Sequence, residues 1–498
     1  MADLKQRGGH MVRNYEVRRQ YRMLIGGQWV ESASGETLAT LNPATEETLA
    51  TVPFGTAADI DRAVAAAREA FPNWRAMEPR ARGKLVAELA ARLRAEAERL
   101  AYIEALDSGN PVSSMVGDVH MAADLMEYFA GLAAEIQGTT MPLHGGMNYT
   151  LREPYGVVGR IIPFNHPIYF AASRIAAALV AGNTVILKPA EQTPLTALEF
   201  GALIVDVLPP GVVNIVTGDG PRTGAPLVAH PQVRRIAFTG SVETGREILR
   251  AAAEQIKVVT LELGGKNPMI IFPDVDVEKA ATTAVNGMNF RWCQGQSCGS
   301  TSRVFVHRAL HDQFIEALVA GVRQIHLGWP TDPDTEMGSL VSREQYEKVM
   351  RYIDMGQREG ARLLCGGGRP SGPEFERGYF VEPTVFDQVT PDMTIAREEI
   401  FGPVLSVLVW DDEEELLAAV NGVAYGLTAA ILSVDLARAM RWAEQVEAGY
   451  IWINGSSRHC VGAPFGGQKQ SGFGREEALE ELLSYTQIKN VQMRYRLD

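Results

Sequence analysis

Ile60, Ala63, Val64, Ala67 and Phe71 recur at helical spacing and predict a helix that starts near Ala57. Leu85, Leu89, Leu93, Leu100 and Ile103 form a second apolar stripe. It predicts one helix from Pro79 to Leu106, stopped by Gly109. From residue 157 the pattern changes. Short apolar runs at Val157–Pro163, Thr184–Lys188, Val212–Val216, Arg235–Phe238 and Val258–Leu261 read as strands. Helical patterns lie between them at Ile168–Ala181, Leu195–Val207, Thr223–Ala229 and Val242–Gln255, with Gly182 as a stop after the first. Strict alternation of strand and helix implies a parallel sheet with right-handed crossovers. Such sheets bind ligands beyond the carboxyl ends of their strands. Asn165, Lys188, Gly218 and Gly240 fall at those ends.

A second alternating region begins near Lys266. Pro268–Phe272 reads as a strand and Glu278–Arg291 as a helix; strands follow at Val304–Val306, Phe380–Val385, Val404–Val409 and Ala429–Ser433. The fold class expected is α/β, with two doubly wound parallel-sheet lobes meeting near residue 265. Thr139–Arg152 and Thr486–Tyr495 look extended and belong to neither lobe, as arms that pair with another subunit often do. Residues 1–20, polar and basic, read as a mobile N-terminal tail with an alternative start at Met11.

Composition excludes more than it assigns. The 498 residues are 46% hydrophobic and 21% charged, which excludes disorder as a description of the chain. Lys and Arg number 47 against 60 Asp and Glu, a net charge of −13, a field that repels phosphate backbones. Nucleic acid is therefore not expected as a partner. No apolar run approaches the roughly 18 residues that span a bilayer, so no membrane partner is expected either. Four cysteines without a CxxC pair fit neither a disulfide scaffold nor a zinc ribbon, and suggest a cytoplasmic protein. No metal-ligand spacing occurs among the nine histidines, so no metal site is expected.

Four local patterns carry candidate chemistry. Gly295-Gln296-Ser297-Cys298-Gly299 matches GxSxG, but the serine elbow needs a strand before it and a helix after, the reverse of the order here. Cys298 is the better nucleophile, since a thiolate is intrinsically stronger and flanking glycines leave the sulfur approachable. An inert packing cysteine is the equal alternative. Glu262 ends an apolar strand before Gly264-Gly265, where a carboxylate facing a cleft can act as a general base, although a solvated acid is the commoner case. Lys188-Pro189-Ala190-Glu191 follows a strand and can hold a ribose, or be a surface ion pair. The turns Gly218–Gly224 and Phe238–Gly245 are glycine-rich; the second opens a helix, whose N-terminus can receive a pyrophosphate. Neither is a GxGxxG fingerprint.

In their order these motifs resemble the aldehyde dehydrogenase superfamily, from about Tyr21 to Val491. The series runs Pro163-Phe164-Asn165-His166-Pro167, Lys188-Pro189-Ala190-Glu191, Phe238-Thr239-Gly240-Ser241 and Glu262-Leu263-Gly264-Gly265-Lys266. It continues through Gly295-Gln296-Ser297-Cys298 and Glu398-Glu399-Ile400-Phe401-Gly402-Pro403 to Pro464-Phe465-Gly466-Gly467. The resemblance implies oxidation of an aldehyde to an acid. Cys298 would form a thiohemiacetal and then a thioester, Asn165 and the Cys298 N–H would stabilise the oxyanion, and Glu262 would activate the hydrolytic water. Lys188 and Glu191 would hold the adenosine ribose, Glu399 the nicotinamide ribose, and Phe401 would pack on the nicotinamide. Ile162, Pro163, Phe164 and Leu263 would lie along the cofactor, with Gly220, Gly224, Phe238, Gly240 and Ser241 near its adenine and phosphates. The Glu191 carboxylate repels a 2′-phosphate, so NAD is favoured over NADP, which Lys188 still permits.

The resemblance also implies domains: residues 21–135 with 155–265 as the cofactor-binding domain, 266–464 as the catalytic domain, 136–154 with 484–498 as an oligomerisation arm, and 465–483 as a return segment. A homodimer or homotetramer would follow. The substrate tunnel would include Met121, His166, Phe170, Ser173, Trp292, Ser457, His459 and Phe465. His166 stands where relatives commonly carry an aromatic residue, and Cys293 where many carry Asn. The two histidines make the tunnel polar, and Trp292 and Phe170 give it flat walls, so an aromatic or polar aldehyde is favoured. Either histidine serving only as packing is the commoner case. A CoA-acylating semialdehyde dehydrogenase is disfavoured by Glu262. A non-redox thiol esterase and a binding protein on the same scaffold are the remaining alternatives.

Overall fold

The computed structural model describes residues 14–496. Its first sheet has eight strands, in the spatial order Gln28–Val30, Met23–Ile25, Val213–Ile215, Thr184–Lys188, Val157–Ile161, Val233–Gly240, Val258–Leu263 and Gly472–Phe473. The five inner strands run parallel, and the outer ones pair antiparallel. The sheet is thus parallel at its centre and mixed at its edges. From Val157–Ile161 the chain builds outward in one direction, then returns to add Val233–Gly240 on the other side. The reversal opens a crevice beyond the carboxyl ends of these two strands, where Ile162–Phe164 and Gly240–Ser241 emerge.

The second sheet orders Arg362–Cys365, Thr384–Asp387, Val404–Trp410, Arg303–His307, Pro268–Ile271, Thr428–Leu432 and Tyr450–Ile453. Only Arg362–Cys365 is antiparallel. The third sheet joins Thr486–Arg494 to Gly146–Pro154 and Thr140–Leu143, in continuous register from Thr486 opposite Pro154 to Arg494 opposite Gly146. Among the described residues no helix is long and apolar enough to cross a membrane.

Several elements depart from the periodicity. The helix expected over Pro79–Leu106 is two helices, Pro79–Ala95 and Ala97–Ser108. Glu96 leaves the helical ladder at φ −98°, ψ 12°. The apolar stripe continues on the same face across the break, with Leu89, Leu93, Leu100 and Ile103 all fully buried, so periodicity alone does not register it. The strand expected at Phe380–Val385 forms at Thr384–Asp387; Pro383, which has no N–H to donate, precedes it. The helix expected over Glu278–Arg291 ends at Gly287. Asn289 adopts a left-handed conformation, φ 57°, and starts a separate turn, Phe290–Cys293. Asn is among the few residues that accept it readily.

Residues 1–13 of the expected tail, including Met11, lie outside the described residues. Residues 14–20 are docked rather than free. The Tyr15 ring stands 5.9 Å from Tyr102, Gln20 bridges to Thr51, and Arg18 reaches Glu199 at 3.5 Å.

The segment after the second sheet returns to the first through buried charge. Arg160 Nη1 meets Glu476 Oε1 at 2.7 Å. Arg174 meets Glu476 at 3.1 Å and Glu477 at 2.8 Å. Both arginines are 2% exposed. Removing one partner of such a set leaves an uncompensated buried charge, which is strongly destabilising. Arg160→Met should therefore lower stability by about 3–5 kcal/mol, read as a fall in the urea unfolding midpoint with an unchanged slope.

Candidate active site

Two segments remote in sequence converge on Cys298. The strand Val258–Leu263 delivers Glu262 and then Gly264-Gly265. A Cβ on Gly265 would sit 2.7 Å from the Cys298 carbonyl oxygen, and one on Gly264 would collide with the Glu399 carboxylate. The paired glycines are what let the cysteine turn and Glu399 approach the strand end. Asn267 then fixes the turn: its Nδ2 donates to the carbonyls of Cys298 at 2.7 Å and Ser300 at 2.9 Å, while its Oδ1 accepts the Thr428 N–H at 3.1 Å. Gly265 N–H donates to Glu399 Oε1 at 2.9 Å.

A cavity opens over Cys298. Of the residues expected in the tunnel, Met121, His166, Phe170, Trp292, Ser457, His459 and Phe465 line it, together with Glu262 and Cys298. Ser173 does not: it is fully buried, and its hydroxyl donates to the Tyr169 carbonyl at 2.5 Å. Asn165 is also buried. Its carbonyl accepts Asn110 Nδ2 at 2.8 Å, and its side-chain oxygen has no partner. Asn289, Tyr169, Arg174 and Trp452 line the cavity without having been singled out in the sequence, and Ser297, the serine of the GxSxG pattern, lines it too.

The acidic residues that orient the two histidines also escaped sequence reading. His166 Nδ1 lies 2.7 Å from Asp118 Oδ2, and Trp292 Nε1 donates to Asp118 Oδ1 at 2.8 Å. His459 Nδ1 lies 2.9 Å from Glu477 Oε2, and Tyr169 Oη donates to Glu477 Oε1 at 2.7 Å. One signal for Asp118 was present. It shares the buried face of the helix Val112–Gly131 with Met115, Val119 and Ala122, an acid within an apolar stripe.

Burial sets the protonation states. It pushes the Glu262 carboxyl up to about 8, reinforced by the nearby Glu476 charge and opposed by the Cys298 thiol, Arg174 and Arg160. Burial also pushes the Cys298 thiol well up, and the Glu262 carboxylate raises it further. At neutral pH the pair is therefore a thiol beside a carboxylic acid. Burial disfavours the His166 imidazolium, but the Asp118 carboxylate outweighs it and raises His166 well above its ordinary value. Burial opposes ionisation of Glu477 too; His459, Arg174 and Tyr169 overcome it and hold the carboxylate charged.

Lys188, Gly240 and Leu263 end strands of the first sheet, and Ile162 and Ser241 lie just beyond strand ends. Lys188 Nζ, 3% exposed, meets Glu191 Oε2 at 3.3 Å at the strand's carboxyl end, and Glu191 is partly open to solvent. Gly220 has nothing within 4 Å of a built Cβ, which leaves backbone open to a ligand. Gly224 closes the same turn. Ser241 Oγ caps the helix Val242–Ala253 by accepting the Thr244 N–H at 3.2 Å, at the end of the strand that holds Phe238 and Gly240. Phe164 and Phe401 face each other edge-on with ring centroids 5.6 Å apart. Ile162 and Leu263 are buried at the ends of the two strands that flank Val233–Gly240, and Pro163 joins Ile162 to Phe164. Among the described residues no cluster of His, Cys, Asp or Glu could hold a metal ion.

Residues 29–491 match the model of the aldehyde dehydrogenase family. The chain belongs to the aldehyde dehydrogenase family. It is an oxidoreductase acting on aldehydes. It is 46% identical over 479 residues to the aldehyde dehydrogenase tropH of Talaromyces stipitatus, covering 95% of this chain and 93% of that one. The NAD+ complex of aldehyde dehydrogenase from Bacillus cereus superposes with a TM-score of 0.93 at 43% identity, covering 96% of this chain and 97% of the other. PnpE in complex with nicotinamide adenine dinucleotide gives 0.94 at 39% identity, covering 96% and 98%.

A raised carboxyl value makes stability depend on pH. Below the ordinary value of 4.5, Glu262 is protonated both folded and unfolded. Between there and about 8 the unfolded chain ionises while the folded one keeps its proton, so this group's contribution to stability falls as pH rises. Glu262→Gln in this aldehyde dehydrogenase should raise the thermal midpoint by more near pH 8 than near pH 5. Differential scanning at the two pH values reads the difference.

Proposed function

We propose that this chain oxidises an aldehyde to a carboxylic acid with NAD, through a covalent adduct on Cys298 that Glu262 helps to hydrolyse. The observation that carries the reading is the juxtaposition of the Cys298 thiol and the buried Glu262 carboxyl at the floor of a cavity lined by aromatic rings. A carboxyl poised near 8 takes up a proton readily once ionised, the property a general base needs. The Cys298 thiol proton would pass to water in the cavity as the sulfur adds to the aldehyde carbon. The resulting thiohemiacetal oxyanion would lie toward the Asn165 amide and the Cys298 N–H, donors whose charge complements it. When bound, NAD would supply the acceptor for the hydride that leaves the thiohemiacetal carbon. Glu262 would then draw a proton from water as the thioester is hydrolysed and Cys298 is freed.

Lys188, Glu191, Glu399 and Phe401 would hold NAD, with Ile162, Pro163, Phe164, Phe238, Ser241 and Leu263 along its length and Gly220, Gly224 and Gly240 leaving room for it. The relatives crystallised with NAD+ support this reading. We also read residues 21–135 with 155–265 as the cofactor-binding domain, 266–464 as the catalytic domain, 136–154 with 484–498 as an oligomerisation arm, and 465–483 as the return segment. Exposed Met141, Leu143, Leu151, Ile488 and Met493 on the three-stranded sheet support a second copy as the partner of that arm.

The test is NADH formation with a panel of aliphatic, aromatic and carboxylated aldehydes. Cys298→Ala should abolish it; full activity in that variant would overturn the nucleophile. Glu262→Gln should keep a single-turnover burst of NADH while steady turnover falls by roughly a hundredfold or more. An equal loss in both would refute a deacylation role. Glu191→Ala should raise the NADP-to-NAD ratio of kcat/KM about tenfold, because the carboxylate no longer repels a 2′-phosphate; an unchanged ratio would assign cofactor choice elsewhere.

A further inference from the structure

Two imidazoles face the cavity over Cys298, and each is held in the same way. His166 is fixed through Nδ1 by Asp118, and His459 through Nδ1 by Glu477. Neither Asp118 nor Glu477 is more than 1% exposed, so the two carboxylates have no access to solvent. The rings are wedged as well: His166 packs edge-on to Trp292 with centroids 5.1 Å apart, and His459 lies 4.4 Å from Phe465. Packing alone does not explain a buried carboxylate behind each ring, since an apolar ring would fill the space without one. The Asp118 carboxylate on Nδ1 sustains the His166 imidazolium, whose remaining N–H points away from Asp118. That side of the ring meets the Cys293 thiol, a weak acceptor that a charged oxygen in the cavity can replace.

The surrounding charge admits an anion. Glu262, the carboxyl beside Cys298, is neutral below about 8, and Glu477 is offset by Arg174. The cavity opens into an outer vestibule that shares Met121, Trp292, Ser457 and His459 with it. There Asp124 is engaged by Arg94 and Arg291 by Glu336. Arg458, exposed on the same wall, has no ion pair among the described residues. The path to Cys298 therefore carries the Arg458 charge outside and the His166 ring donor inside.

We infer that the substrate is an aldehyde bearing an anionic oxygen, a carboxylate or a phenolate, which the Nε2–H of His166 receives between the flat aromatic walls. Asp118 is a positioning residue that keeps the His166 ring cationic and aimed, and Glu477 holds the His459 ring in place. The inference rests on the aldehyde-oxidation reading and names its substrate class.

The test compares kcat/KM for NADH formation with para-carboxybenzaldehyde, para-hydroxybenzaldehyde at a pH where the phenol is ionised, and para-methylbenzaldehyde as a neutral shape match. The wild-type chain should prefer at least one anionic aldehyde over the neutral one by roughly tenfold or more, the range of a charge-assisted hydrogen bond. Which of the two exceeds it distinguishes carboxylate from phenolate. In His166→Phe the ratio should fall toward one, chiefly through KM for the anionic substrate. Asp118→Asn, which keeps the imidazole, should lower the ratio in the same direction. Ratios within one variant cancel any loss of folded protein. A wild-type ratio near one, or a ratio unchanged in both variants, overturns the anionic-substrate inference and leaves aldehyde oxidation standing. Absence of NADH with all three aldehydes and across the wider panel overturns both.

Discussion

The cysteine turn reaches Glu262 only because two backbones can touch. Any side chain at Gly265 would press into the Cys298 carbonyl, and any at Gly264 would displace Glu399. Asn267 then ties the turn to the second sheet, with hydrogen bonds to Cys298 and Ser300 on one side and Thr428 on the other. The strand end, the cysteine turn and the Glu399 loop meet at this point. The first sheet brings Glu262 at the carboxyl end of a strand, and the second brings Cys298, Glu399 and Thr428 at or ahead of the amino ends of its strands.

Electrostatics within this scaffold follows from pairing rather than from residue type. Glu262 and Glu477 belong to the same cavity region and differ in state. Glu477 has Arg174, His459 and Tyr169 around it and stays charged. Glu262 has Glu476 nearby and is driven up to about 8. One carboxyl is a fixed anion and the other a group able to exchange a proton near neutral pH. Environments that push like groups apart in this way are a general route to distinct chemical roles. The same buried network joins the return segment to the first sheet through Arg160, so fold stability and the cavity's charge state share residues.

Much of this was legible in the order of apolar runs. Strands at Thr184–Lys188 and Val404–Trp410 and the helix ending before Gly182 follow from periodicity and a glycine stop. The glycine-flanked Cys298 and the acid at a strand end stood out by residue type. The break at Glu96 did not, because the apolar stripe resumes in phase on the next helix. The strands Met23–Ile25 and Tyr450–Ile453 were not singled out, being three and four residues long. The acidic run from Glu476 to Glu481 was not singled out, yet Glu476, Glu477 and Glu481 are buried against arginines.

The sequence by itself determined the alternating α/β architecture, the family, and the residue types at the strand ends, because these depend on local periodicity and ordered motifs. Only the tertiary structure decided which groups are charged and which imidazoles are held. Asp118 meets His166 across 48 residues, and Arg174 meets Glu477 across 303. A side chain's proton affinity is set by desolvation and by charges within a few ångströms. Those neighbours come from segments whose proximity no local pattern encodes.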